Sequence, residues 1–257
     1  MLLAVDIGNT NIVLGLFQEN KLIHQWRLLS NKIKSIDDYA VDIIELLVTF
    51  KIDLKQIHGC IIGSVVPDLT QKIKQAISNF CDEEILVIGE NIELNVATDI
   101  ENKAEIGCDR LINSIAAFHE FGKGLIIIDF GTATTFDVVG ENGQYLGGVI
   151  ALGIDLSLQT LHGMTAKLPR ITISKQENVI GKNTKQAMNS GVYFGYISLI
   201  EGVISKIKNE VDFQPQIIMT GGLASLFSDE LNYIEIKPDL TLNGLKLIYD
   251  NKLYITK

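Results

Sequence analysis

One pattern occurs twice in this chain and constrains its fold more than any other feature. An apolar run, Leu2–Val5, leads into Asp6-Ile7-Gly8-Asn9-Thr10 and then into a second apolar run, Ile12–Phe17. From residue 125 the same order returns. Leu125–Ile128 precedes Asp129-Phe130-Gly131-Thr132-Ala133-Thr134-Thr135, and Phe136–Val139 follows. The two aspartates stand 123 residues apart. Each copy continues into turn residues, Glu19-Asn20 or Glu141-Asn142-Gly143, and then a third strand-like run. Short apolar runs divided by turn residues predict a meander of strands. Their repetition predicts an internal duplication with a boundary near residues 118–124.

Helical patterns lie between the strand candidates. Ile36, Tyr39, Ala40, Ile43, Ile44, Leu46, Leu47 and Phe50 recur at helical spacing behind Ser35, a candidate N-cap, with Asp37 and Asp38 in the first turn. Leu111 to Phe118 predicts a second helix ending at Gly122, and Thr70–Phe80 and Tyr193–Val211 two more. Further strands are expected at Cys60–Val66, Ile85–Ile88, Tyr145–Ile150 and Ile217–Thr220. Hairpins mixed with helices indicate an α/β chain with mixed sheets. A chain of 257 residues can form one large domain or two small ones. The duplication favours two, expected at residues 1–119 and 120–257.

A strand, Asp-x-Gly-x-Thr and another strand describe a tight hairpin. The glycine lets the backbone turn sharply, and successive N–H groups in such a turn form a concave anion site. The threonine adds a hydroxyl, and the aspartate can hold a cation directly or through water. Phosphates with a metal ion are the ligand that suits this set. One copy reads equally as an ordinary hairpin with a solvated aspartate; two copies at matching positions favour the ligand. Neither a Walker sequence nor GxGxxG is present, so P-loop and dinucleotide-binding readings have no support.

Two further motifs stay open on spacing alone. Ile217 to Gly222 ends an apolar strand in Gly-Gly, which suits close approach of a flat ligand such as adenosine but equally a plain turn. Gly107-Cys108-Asp109-Arg110 places a carboxylate beside a guanidinium at a helix start. That pair can act as a base on a hydroxyl while the arginine holds an anion. The commoner meaning of the pattern is a helix cap with a surface ion pair.

Composition limits the partners. Against 22 Lys and Arg stand 31 Asp and Glu, a formal charge of −9, with no basic run to neutralise a phosphate backbone. A nucleic-acid partner is not expected. No segment approaches the roughly 18 consecutive apolar residues of a membrane span, and Asp6 interrupts the start too early for a signal peptide. Cys60, Cys81 and Cys108 fit neither a disulfide framework nor a zinc site. The expected compartment is the reducing cytoplasm.

Together these residues resemble type III pantothenate kinase, of the actin, acetate-kinase and sugar-kinase superfamily. The resemblance runs through the Asp6–Thr10 opening, Ser64-Val65-Val66-Pro67, Gly107–Arg110, Asp129–Thr135, Gly147-Gly148 with Gly153, and Gly181-Lys182-Asn183-Thr184. It implies two RNase-H-like (actin-like ATPase) domains with mixed sheets, an ATP cleft between them, and a homodimer. The implied reaction moves the ATP γ-phosphoryl to the terminal hydroxyl of pantothenate, giving 4'-phosphopantothenate in the first step of coenzyme A synthesis. By position, the resemblance makes Asp6, Ile7, Gly8, Asn9, Thr10, Asn11, Ile12 and Val13 the first phosphate loop, with Asp6 near Mg2+. It makes Asp109 the proton acceptor. Gly107, Cys108, Asp109 and Arg110 contact pantothenate, Thr184 adds to that site, and Thr132 touches ATP. Asp129 coordinates a monovalent cation, K+ or NH4+.

Three positions depart from the family pattern. Ile100 and Lys103 stand where a tyrosine and a proline are usual, Leu152 where a proline is frequent, and Cys108 where a small residue such as alanine is common. Cys108 reads as an apolar filler. His24, His58, His119 and His162 pair with no Cys or Asp at ligand spacing, and Trp26 reads as packing. Tyr193, Phe194 and Tyr196 read as core or subunit contact on one helix. The charges at Lys72–Lys74 and Lys206–Glu210 read as solvated helix faces. Two other readings remain: a different small-molecule kinase of the superfamily, or a regulator that binds nucleotide without turnover.

Overall fold

The computed structural model describes residues 1–256. The chain divides into two compact units. The first holds Met1–Ala97, Glu101–Ala116 and the chain from Leu240 onward; the second holds Thr98–Ile100 and Ala117–Asp239.

In the first unit the predicted meander is β1 (Leu2–Ile7), β2 (Asn11–Gln18) and β3 (Lys21–Leu29). Helix α1 (Ile36–Thr49) follows, then β4 (Gly59–Ser64), α2 (Pro67–Ser78), β5 (Ile85–Val87) and the short β6 (Ile92–Leu94). The five-stranded sheet runs β3-β2-β1-β4-β5, antiparallel through the meander and parallel from β1 to β5. Ser35 caps α1 as predicted: its hydroxyl accepts from Asp38 N while the Asp38 carboxylate accepts from Ser35 N. Such a reciprocal cap is worth about 1 kcal/mol.

Alternation along β1 sorts its residues between two cores, as the two-residue period of a strand requires. Leu3, Val5 and Ile7 pack with Tyr39, Ile43 and Leu47 of α1 and Leu69 and Ile73 of α2. Leu2 and Ala4 face the opposite way. There they meet Ile112 of α3 (Cys108–Phe121) and Leu242, Leu245 and Ile248 of a helix near the C-terminus.

The second unit repeats the plan. β7 (Leu125–Phe130), β8 (Ala133–Val139) and β9 (Tyr145–Leu152) form the meander. α4 (Ile154–Gly163) and the long α5 (Thr184–Glu210) follow, then β10 (Gln216–Gly221) and β11 (Glu235–Ile236). The sheet order β9-β8-β7-β10-β11 matches strand for strand the order in the first unit, with the same antiparallel and parallel pairings. The duplication read from the sequence is therefore a duplication of topology. Tyr193 and Tyr196 are buried in this unit's core with Ile126, Ile128 and Phe130.

The chain closes with α6 (Leu240–Asn251) and β12 (Tyr254–Thr256), which pairs with β6. A division at 119/120 assigns these elements to the second domain, whereas they pack in the first unit. The reason is hydrophobic. The face of β1 that carries Leu2 and Ala4 needs a cover, and burying a Leu or Ile side chain is worth about 1.5–3 kcal/mol. Leu242, Leu245 and Ile248 of α6 supply three such side chains. Among the described residues no helix is long and apolar enough to cross a membrane.

Candidate active site

In the first unit the site begins with the turn between β1 and β2. Gly8 N donates to Asn11 O at 2.9 Å and closes it. Asp6 sits one residue before the end of β1, opposite Val13 on β2 and beside Gly63 on β4. By strand alternation it lies on the same face as Leu2 and Ala4, the face covered by the start of α3. Asn9 and Thr10 are exposed at the tip.

The start of α3 brings Gly107, Cys108, Asp109 and Arg110 to that face. The Cys108 thiol donates to the Ser64 carbonyl at the end of β4, at 3.1 Å. Burial pushes this thiol up to about 12, and the charges of Asp109 and then Asp6 add to the rise. The Cys108 thiol therefore stays neutral at ordinary pH. Its Sγ lies 3.9 Å from the space a Cβ on Gly63 would take, and Gly63 pairs with Asp6, so the start of α3 and Asp6 meet at this end of the sheet.

Asp109 is not a surface cap. Burial raises its carboxyl above the usual range, against the opposing pull of the Arg110 N–H and guanidinium. Its Oδ1 accepts from Arg110 N at 2.8 Å. It also lies over Gly107, where a Cβ would stand only 2.5 Å from Oδ1. A carboxylate held high by burial is a better proton acceptor than a solvated one. Burial therefore sets Asp109 apart from a carboxylate in a surface ion pair.

Ser64 has a job the sequence did not reveal. Its hydroxyl accepts from Val66 N at 3.0 Å and from Thr70 Oγ1 at 2.7 Å, fixing the entry to α2. Pro67 opens that helix, where its missing N–H costs nothing. Lys72 is more than a solvated face. Its Nζ donates to the carbonyls of Lys32 and Lys34, both at 2.8 Å.

In the second unit the matching turn joins β7 and β8. Gly131 N donates to Ala133 O at 3.1 Å, and Gly131 and Thr132 are exposed. Asp129 stands opposite Thr135 and beside Thr220 of β10. Gly221 ends β10 with φ +90°. A Cβ there would lie 2.6 Å from Asp129 Oδ1 and 2.7 Å from Phe130 N, so only glycine leaves room for the carboxylate. Thr184 is the first residue of α5, exposed behind Asn183, whose side chain accepts from Gln186 N at 3.0 Å. Ile100 lies within 4 Å of the space a Cβ on Gly147 would take, while Lys103 is exposed.

The sequence reading missed two residues. Asp137 of β8 is 0% exposed, and its carboxylate accepts from Tyr145 OH at 2.8 Å and Thr135 Oγ1 at 3.2 Å. An acidic residue inside the apolar run 136–139 was its available signal. Ser30, just past β3, donates from Oγ to the Gly8 carbonyl at 2.6 Å. Nothing in the local sequence distinguishes it from an ordinary strand-end serine.

The donors suit hard cations. Among the described residues no group of three or more His, Cys, Asp and Glu side chains forms a metal cage. Mg2+ in phosphoryl-transfer sites is held by one or two carboxylates together with substrate phosphates. Asp6 fits that pattern, and the Asp129 carboxylate resting against Gly221 fits an oxygen-bound cation.

The family model for type III pantothenate kinase matches residues 2–206. A type III pantothenate kinase of Brevibacillus brevis is 43% identical over 251 residues, 97% of this chain and 98% of that protein. One from Moorella thermoacetica is 41% identical, over 97% of this chain and 99% of that protein. Among solved structures, a candidate 2-dehydro-3-deoxygalactonokinase from Sinorhizobium meliloti aligns with a TM-score of 0.63. It covers 98% of this chain and 96% of its own at 11% identity, a likeness of fold alone. The doubled mixed sheet is accordingly that of the actin-like ATPase and sugar-kinase fold, and the chain belongs to the type III pantothenate kinase family.

Proposed function

We propose the following division of labour in a chain that phosphorylates pantothenate with ATP at the start of coenzyme A synthesis. Asp109 takes the proton from the terminal hydroxyl as that oxygen attacks the γ-phosphorus. Arg110, with Gly107 and Cys108, orients pantothenate, and Thr184 adds a contact. The backbone from Asp6 to Val13 holds phosphates through its amides together with the Thr10 hydroxyl, and Thr132 adds a hydroxyl to ATP. Asp6 is the carboxylate for Mg2+ and Asp129 the one for K+ or NH4+; bound cations offset phosphate charge that an acidic protein cannot. Phosphoryl transfer needs positioning and charge neutralisation above all, and these residues supply both.

The observation that carries this reading is Asp109: a buried carboxylate accepting from Arg110 N at 2.8 Å, next to Cys108, whose thiol reaches the Gly63 neighbour of Asp6. The test is purified protein with ATP, Mg2+, K+ and pantothenate. ADP formation that requires pantothenate is the expected result. ADP formation with some other acceptor from a panel of hydroxylated compounds would assign a different kinase. ATP binding without turnover on any acceptor would assign a regulator.

The protein acts as a homodimer in the cytoplasm. Support for the dimer comes from edge strand β9 and from α4, where Ile150 is 64% exposed and Leu152, Leu156 and Leu161 are also uncovered. Light scattering should give twice the chain mass; a monomer at micromolar concentration would remove this part.

A further inference from the structure

Two hydrogen bonds tie the end of β3 to the first phosphate turn. Ser30 Oγ donates to Gly8 O at 2.6 Å, and Ser30 N donates to Thr10 O at 3.0 Å. Both acceptors are carbonyls of the turn. In a planar trans peptide the C=O and the next N–H point in opposite directions. Drawing these two carbonyls toward Ser30 therefore aims the N–H groups of Asn9 and Asn11 away from it, the orientation an anion site needs.

The clamp is itself fixed. The neighbouring residue, Asn31, is held by the buried Tyr39 of α1, whose hydroxyl accepts from Asn31 N at 2.9 Å and donates to Asn31 O at 3.0 Å. Lys72 of α2 holds the next stretch through the carbonyls of Lys32 and Lys34. Ser30 thus reaches the turn from a segment anchored on two helices.

The duplicate half places a residue at the same point. Leu29 ends β3 opposite Asn11, and Leu152 ends β9 opposite Ala133. Leu152 follows Leu29 by the same 123 residues that separate the two aspartates. The next residue, Gly153, lies so near the second turn that a Cβ on it would stand 2.0 Å from Thr132 O. Both turns are therefore braced by the first residue past the third strand, by direct backbone contact in one half and by a side-chain hydroxyl in the other.

We propose that Ser30 is a positioning residue that sets the anion-binding shape of the Asp6–Val13 turn, and so the affinity for ATP. The proposal rests on the reading of that turn as a phosphate site. Its test compares Ser30→Val with Ser30→Thr, two side chains of one shape that differ by the hydroxyl, with Thr10→Ala as a separate probe of the turn. ATP affinity is read by calorimetry and KM and kcat by ADP release.

Ser30→Val should weaken ATP binding roughly tenfold, about the effect of one lost hydrogen bond. KM for pantothenate should hold, the melting temperature should fall by only a few degrees, and Ser30→Thr should restore ATP affinity. ATP affinity lost in Thr10→Ala but kept in Ser30→Val overturns the clamp alone. Affinity kept in both variants overturns the phosphate-turn reading with it. A parallel rise in both KM values with a lower melting temperature means mere structural support and also overturns the proposal.

Discussion

Gly221 and Asp129 are in direct apposition: a Cβ on the glycine would stand 2.6 Å from the carboxylate oxygen. The pair sits on adjacent parallel strands, where Gly221 is aligned with Phe130, the residue after Asp129. Gly221→Ala meets two penalties, because φ is +90° and the space is taken. The strain should cost about 1–3 kcal/mol of stability, read by thermal unfolding. The carboxylate must also shift, so with Asp129 as the proposed cation ligand, activation by K+ should require higher concentrations. Wild-type K+ dependence in a folded Gly221→Ala protein would take the cation role from Asp129.

Asp109→Asn should separate turnover from stability. A general base typically contributes about 10²–10⁴-fold in rate, so kcat should fall by that order while ATP binding persists. Stability should move the other way. The carboxyl of Asp109 is raised in the folded protein, so ionising it opposes folding once the pH exceeds the unfolded value. Below that value the acid is protonated in both states and the penalty vanishes. The asparagine variant should therefore melt higher than the parent at neutral pH and converge with it in acid. A lower melting temperature at neutral pH would contradict the burial argument.

The same raised carboxyl sets a limb of the pH profile. With Asp109 as the proposed base, kcat/KM should rise with pH through a value above the ordinary carboxylate range. A flat profile across the mildly acidic range would remove Asp109 from the role of base.

Cys108 should resist alkylation in the native state. Its thiol is pushed up to about 12, and the thiolate is the reactive form. Mass spectrometry after iodoacetamide treatment near neutral pH should show no adduct on Cys108, and denaturant should expose it. Rapid native labelling would show that burial does not hold the thiol neutral.

Asp137→Ala should destabilise without touching the reacting groups. It removes the acceptor of the Tyr145 hydroxyl at a fully buried position. Losing one buried hydrogen bond costs about 0.5–1.5 kcal/mol, which thermal unfolding should register as a lower midpoint. An unchanged midpoint would show that the Tyr145–Asp137 bond adds nothing to the fold.

Much of this was legible because the signals are local. The apolar runs around Asp6 and Asp129 placed both hairpins, and Ser35 placed the start of α1. What was not legible depends on distant residues. Helix α6 joins the first sheet through Leu242 and Leu245, and their periodicity does not say which of two similar sheets they will cover. Asp109 could not be told from a surface cap by spacing, because its character comes from burial, with its carboxylate lying over Gly107. Ser30 and Asp137 acquire their roles from hydrogen-bond partners brought by strand pairing.

The return of α6 to the first unit fixes an order of events during synthesis. The second unit runs without a break from Ala117 to Asp239 but for three residues upstream, so it can condense as soon as that stretch clears the ribosome. The first unit, although translated earlier, has only the start of α3 over that face of β1 until residues 240–251 emerge. The usual sequence, in which the leading domain folds first, should then be reversed, and a truncation series ending on either side of Leu240 would read it by protease resistance of the first unit. A chain cut short before Leu240 would carry a finished second half behind a first half that cannot close.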